Sequence, residues 1–160
     1  MNLIDAMIES YQFNRSRTLA TLDRAEKLDD SAEALAWSPA GRAHVAWQIM
    51  HIGITEDIFA SERLAPQKTG VFVDLWDRYR GGSTPDDQIP SFEEIRNVLD
   101  QSRSALIATL GELTEADLST IPEPLQERGW TIQTVLQIIS WHESHHQGQA
   151  HIILNMFENR

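Results

Sequence analysis

The 160-residue chain has no cysteine. That excludes disulfides, thiolate metal ligands and a cysteine nucleophile together, and makes a reducing cytoplasm the expected compartment. No stretch approaches the ~18 uninterrupted apolar residues of a membrane-crossing helix. Basic side chains are scarce: 13 Lys and Arg against 24 Asp and Glu leave a net charge of −11. Nucleic acid and anionic membrane both reward clustered Lys and Arg, so neither is expected as a partner. The opening residues Met1–Ala6 carry Asp5 where a secretory leader carries base, and no leader is expected. Also missing are a glycine-rich phosphate loop after a strand and a G-x-S-x-G elbow. Glu143 precedes His146 at E-x-x-H spacing, but no second such pair exists to build a di-iron bundle.

What is present has the balance of an ordinary globular protein, with 41% apolar and 23% charged residues, and one domain over 1–160 is expected. Four long segments read as helices and none as a strand. The first, roughly 2 to 28, places Leu3, Met7, Tyr11, Thr18, Leu22 and Ala25 near one stripe. The second runs from about Gly41 to Leu64, after the turn Trp37-Ser38-Pro39-Ala40. The third begins at Ser91, with Glu94 three residues on in a capping-box pattern. A short helical turn is expected after Thr114, before Pro122 and Pro124 interrupt. The fourth opens near Thr131, an N-cap residue type, and runs to about Phe157.

Between the second and third segments lies a loop of about 26 residues, a length that usually marks a functional or partly structured connection. It carries Val71, Phe72, Val73, Leu75, Trp76 and Tyr79, which predicts packing against the helices or a second subunit. The fold class is therefore all-α, an antiparallel four-helix bundle with a long crossover between helices 2 and 3.

Six histidines are the main functional signal. At ~100° per residue with His142 at zero, His146 falls near ~40°, inside the stripe of Val135, Ile139, Ile153 and Phe157. His145 falls at the edge of that stripe and His151 opposite it. His51 shares the apolar face of the second helix with Trp47, Ile54 and Ile58, and His44 lies two turns back. Two buried imidazoles one turn apart each need a partner. With a third on a facing helix, His51, His142 and His146 suit a divalent metal with an open coordination position. Gln149 also faces inward, either to orient a ligand or bound water or to satisfy a buried polar contact. Glu143 is expected at the flank, as an acid behind the ligands or, preferably, an ordinary surface residue.

His142-Glu143-Ser144-His145-His146 is literally the zinc-protease pattern H-E-x-x-H. The extended metzincin motif needs Gly three and His six residues after the second ligand. Here Gly148 and His151 come one residue too early, and His151 points outward, so a protease is not expected.

Three stretches together resemble the DinB-like (damage-inducible, YfiT-like) superfamily: Trp37-Ser38-Pro39, Trp47-Gln48-Ile49-Met50-His51-Ile52, and Trp130-Thr131-Ile132 through Trp141-His142-x-x-x-His146-x-Gly148-Gln149. The resemblance spans nearly the whole chain. It implies an up-down-down-up four-helix bundle, often a homodimer, with His51, His142 and His146 holding zinc, nickel or iron. It further implies that Trp47 and Trp141 wall the site and that Gly148 lets helices approach closely. Members of similar architecture include transferases using low-molecular-weight thiols. The expected function is thus a metal-dependent enzyme of thiol S-transferase or hydrolase type acting on a small molecule. The alternative is a non-catalytic metal-binding protein of stress response or interaction.

Overall fold

Asn2 starts the first helix: its side chain accepts the Asp5 N–H at 2.9 Å, satisfying one of the donors a helix start leaves free. From there α1 runs Leu3–Glu26. The computed structural model covers residues 1–160 and contains helices and turns but no strand. A short helix, α2 (Ser31–Ala36), follows between the first two expected helices. It buries Ala34 and Leu35, two small apolar anchors too few to give a periodic signal.

The next helix, α3, covers Val45–Ile58 rather than starting at Gly41. Gly41 adopts a positive φ of 76°, which turns the chain away from helical geometry. His44 then serves as N-cap, with Nδ1 accepting the Trp47 N–H at 3.0 Å. Thirteen of the fourteen α3 residues are buried, as befits a helix apolar on every side. It passes into a π-helical turn at Phe59–Arg63, a widening often found beside functional sites.

The long crossover is not a bare loop. It contains α4 (Val73–Tyr79), and Phe72, Leu75, Trp76 and Tyr79 pack on the core while Val71 and Val73 stay exposed. Helix α5 (Phe92–Leu110) opens with the expected Ser91–Glu94 capping box. Two 3₁₀ segments, Glu115–Ser119 and Glu123–Arg128, precede α6 (Ile132–Glu158), which Thr131 caps. Pro122 is the N-cap of the second 3₁₀ segment and Pro124 its second residue, so the prolines start that segment, where no N–H is needed.

Side-chain contacts set the packing. Along α1 and α6, Tyr11 O–H donates to the Leu136 carbonyl, Asn14 to the Ser140 carbonyl and Arg24 to Asn155. Along α3 and α5, Gly53 faces Val98 and Thr109 donates to the Ala60 carbonyl. Between α3 and α6 the order reverses, with Gln48 against Gln149 and His51 against His142. The tight approach belongs to Gly53, where an added Cβ would lie 2.8 Å from Val98 Cγ1. At Gly148 an added Cβ would meet nothing within 4 Å, so the close-approach role implied for Gly148 does not hold.

Two apolar clusters form the core, one around Leu22, Ile52 and Leu154, the other around Leu106, Leu110 and Leu136. Between them each long helix contributes one charge to a buried network: Arg15, Glu56, Arg103 and Glu143. Arg15 bonds Glu56 and Glu143, each at 2.8 Å, and Arg103 bonds the same two carboxylates. Thr18 Oγ1–H donates to Glu143 at 2.8 Å, and the carbonyls of Leu99 and Tyr11 accept from the two arginines. Glu143, expected at the surface, is only 2% exposed. The angular estimate tied burial to apolar neighbours, whereas this face of α6 is buried against α1 by paired charge.

Candidate metal centre

His51 sits mid-way along α3, one turn after Trp47, whose indole stacks on its ring at 4.6 Å between centroids. Its Nδ1–H donates to the Tyr79 carbonyl at 2.6 Å. A carbonyl can only accept, so the ring lone pair lies at Nε2. That carbonyl is delivered by α4, and α4 is pinned in turn by Asp57. The fully buried Asp57 carboxylate accepts the Val71 and Phe72 N–H groups and the Trp76 indole N–H, at 2.8 to 2.9 Å. Gly70 makes room there, since an added Cβ would lie 2.4 Å from the Trp76 ring.

His142 and His146 project from successive turns of α6. His146 Nδ1–H donates to Gln48 Oε1 at 2.6 Å, and Gln48 Nε2–H donates to Gln149 Oε1 at 3.0 Å. The His146 lone pair is thereby left at Nε2. His142 Nε2 lies 2.9 Å from His51 Nε2 and 3.5 Å from Thr55 Oγ1. One nitrogen from each of the three rings falls within 4.8 Å of the others. The three residues singled out in the sequence are therefore together.

Burial is the main reason all three imidazoles favour the neutral form. It lowers the His51 pKa and pushes those of His142 and His146 down to about 2 and about 3, helped by the neighbouring imidazoles. Three neutral rings with ligand nitrogens within 4.8 Å of one another are the donor set that divalent transition metals take. Outer hydrogen bonds of the kind supplied by Gln48 and Tyr79 fix ligand tautomer and raise basicity. The residues thus fit a metal ion.

The other histidines stand apart. His145 and His151 are exposed; His145 stacks on Trp141 and accepts from Gln149 Nε2 at 2.6 Å. His44 is occupied as the α3 cap and bonds the Asp86 carbonyl through Nε2 at 3.0 Å. Trp47 backs His51 as the resemblance implied, while Trp141 is 61% exposed and edges the cavity over the histidines. Gln149 acts on Gln48 and His145, not on the cluster directly. Gln48 was missed although it precedes His51 by three residues on the same helix, a spacing that shares a face. The Tyr79 carbonyl leaves no trace in a sequence.

The cluster opens on a cavity of about 470 Å³. No helix is long and apolar enough to cross a membrane. The family model described as the DinB superfamily matches residues 10–150, a span that includes all three histidines. No curated protein matches the chain. A solved structure, the conserved protein of a locus from Enterococcus faecalis, is similar over 100% of this chain and 99% of that one. The TM-score is 0.73 at 17% identity, which speaks for the fold alone.

Proposed function

The chain belongs to the DinB superfamily, and from that premise we propose that it binds one divalent metal through His51, His142 and His146 and works as a metal-dependent enzyme on a small molecule. The observation that carries this is the pair of outer hydrogen bonds to the Tyr79 carbonyl and Gln48 Oε1, which leave the lone pairs of His51 and His146 at Nε2 in a cluster with His142 whose ligand nitrogens lie within 4.8 Å of one another. A bound divalent ion would lower the pKa of a thiol or water held beside it. The chain's own contribution is to keep three imidazoles neutral and to offer a cavity where a substrate can lie against them. Zinc, nickel and iron all suit three imidazoles.

Of the two reaction types, thiol S-transfer is favoured over hydrolysis. No Asp or Glu lines the cavity, and Glu143 is held by Arg15, Arg103 and Thr18. Water activation generally recruits a protein base, whereas a thiol starts from a pKa of about 8.5 and needs less help. The same lack of a base supports the second reading, a non-catalytic metal-binding protein of stress response or interaction. Assays of thiol conjugation to small electrophiles, with several low-molecular-weight thiols and metals, separate the two. Turnover that disappears in His146→Ala is expected for the enzyme; none in either protein favours the binder.

We read the chain as a single domain whose four long helices form an antiparallel up-down-down-up bundle. In support, contacts run in step along α1 with α6 and α3 with α5, and in opposite order between α3 and α6. We also propose a homodimer, supported by exposed Val71 and Val73 on the crossover. Light scattering coupled to size exclusion should give twice the 18.2 kDa chain mass; the monomer mass alone would refute it. The cytoplasm is the expected compartment, to be checked by cell fractionation.

A further inference from the structure

We propose that Arg63, Arg80 and Arg128 form a recognition element for a small organic anion, a carboxylate or phosphate with an apolar body, whose other end reaches the three histidines. The inference deepens the proposed metal-dependent function and rests on it only for what happens at that far end.

The three arginines come from separate elements. Arg63 ends the π-helical turn after α3, Arg80 follows α4, and Arg128 ends the second 3₁₀ segment. All three line the cavity that contains His51, His142 and His146. Carboxylates outnumber basic residues 24 to 13 in the chain, yet none lines this cavity. The charge offered to its contents is therefore positive, against the sign of the molecule as a whole.

Most other arginines are consumed by carboxylates; Arg17 and Arg42 are not, and neither lines this cavity. Arg15 and Arg103 share the buried network, and Arg78 and Arg96 hold Asp86 and Asp23 at 2.7 and 2.8 Å. Around the cavity the pairing is thin. Arg63 touches only its chain neighbour Glu62 at 3.1 Å, and Arg80 reaches the fully exposed Asp77 at 3.7 Å. Arg128 has no carboxylate partner and lies over the Trp130 ring at 4.8 Å. Guanidinium forks are suited to planar carboxylate and to phosphate oxygens, and positive charge beside a low-dielectric wall attracts anions over a distance.

Size and walls narrow the ligand. About 470 Å³ falls within the roughly 300–1,000 Å³ of small-molecule sites, too small for a macromolecule. Phe59, Leu125, Trp130 and Ile138 supply apolar walls to the same cavity. A nucleic acid would require an extended basic surface that a chain of net charge −11 lacks.

Isothermal titration of the untagged full-length protein, metal-free and after incubation with zinc, tests the proposal with benzoate, phenyl phosphate and neutral benzyl alcohol. At least one anion should bind roughly tenfold or more tightly than benzyl alcohol, in both states, and more weakly as salt is raised. Arg63→Gln, Arg80→Gln and Arg128→Gln should each weaken that anion by about fivefold and leave benzyl alcohol unchanged. Arg42→Gln, at a different surface depression, should have no effect. Equal binding of the neutral probe, anion binding only in the zinc-treated protein, or wild-type anion affinity in all three variants would overturn it. Anion preference in a protein that takes up no metal would support the arginine site while contradicting the metal-dependent reading. Stoichiometric zinc uptake without anion preference would do the reverse.

Discussion

At His51 and Glu143, burial decides the chemistry more than residue type does. His51 keeps its lone pair at Nε2 because the Tyr79 carbonyl holds the Nδ1 proton. Glu143, next to a candidate ligand and part of a protease-like pentapeptide, faces the other way and closes a four-charge network. Removing one charge from such a network leaves another buried and unpaired, which costs about 3–5 kcal/mol. Glu143→Gln is therefore expected to lower unfolding free energy by about that amount in urea titration, against under ~0.5 kcal/mol for the partly exposed Glu62→Gln. Equal small losses in both would mean that the network does not hold the helices together. The histidine positions were legible because an i,i+4 pair on an apolar stripe is a one-dimensional signal. Glu143 was not, because its burial depends on Arg15 and Arg103 arriving from distant parts of the chain.

At the scale of helices, small details of start and contact set where the ligands stand. His44 caps α3 seven residues before His51, accepting at Nδ1 and donating at Nε2 to Asp86, so it must be neutral. Burial lowers its pKa from the ordinary 6.5. The unfolded chain thus takes up this proton first as pH falls, and the stability His44 contributes is full above about 6.5 and lost below it, through the lower folded pKa. His44→Asn keeps a capping oxygen without a titrating ring. It should lose stability less steeply than wild type between about pH 7 and 5; parallel curves from chemical denaturation at each pH would contradict this. The α3–α5 approach gives a second test. Gly53→Ala is expected to cost about 1–3 kcal/mol by forcing Val98 aside, while Gly148→Ala, with open space around it, should gain roughly 0.5–1 kcal/mol from helix propensity. Calorimetric melts that move both variants the same way would contradict the assignment of the close contact to Gly53. The capping box at Ser91–Glu94 was readable from spacing alone, whereas the α3 start was not, since Gly41 and His44 announce it only through a turn and a ring nitrogen.

Across the whole molecule, the candidate site lies beside the polar layer that separates two apolar clusters. Helix α6 carries both: Glu143 points to α1 and the layer, His142 and His146 to α3 and the cavity. Rigid placement of the imidazoles thus follows from the same packing that holds the four long helices. The helical class and the long segments were readable from periodicity, and the Enterococcus faecalis structure shares the fold at 17% identity. The crossover was legible only as too apolar to be free; that it folds as α4, is anchored by Asp57 and feeds a carbonyl to His51 depends on contacts formed in three dimensions. Metal content is the most direct test of the central claim. Untagged protein, measured by elemental mass spectrometry and then melted with and without chelator, is compared with His51→Ala, His142→Ala and His146→Ala. About one divalent ion per chain, a lower melting temperature on chelation and loss of both in the variants are expected. Wild-type protein that carries no ion, and whose melting temperature is indifferent to chelator and to added zinc, nickel or iron, would contradict the account.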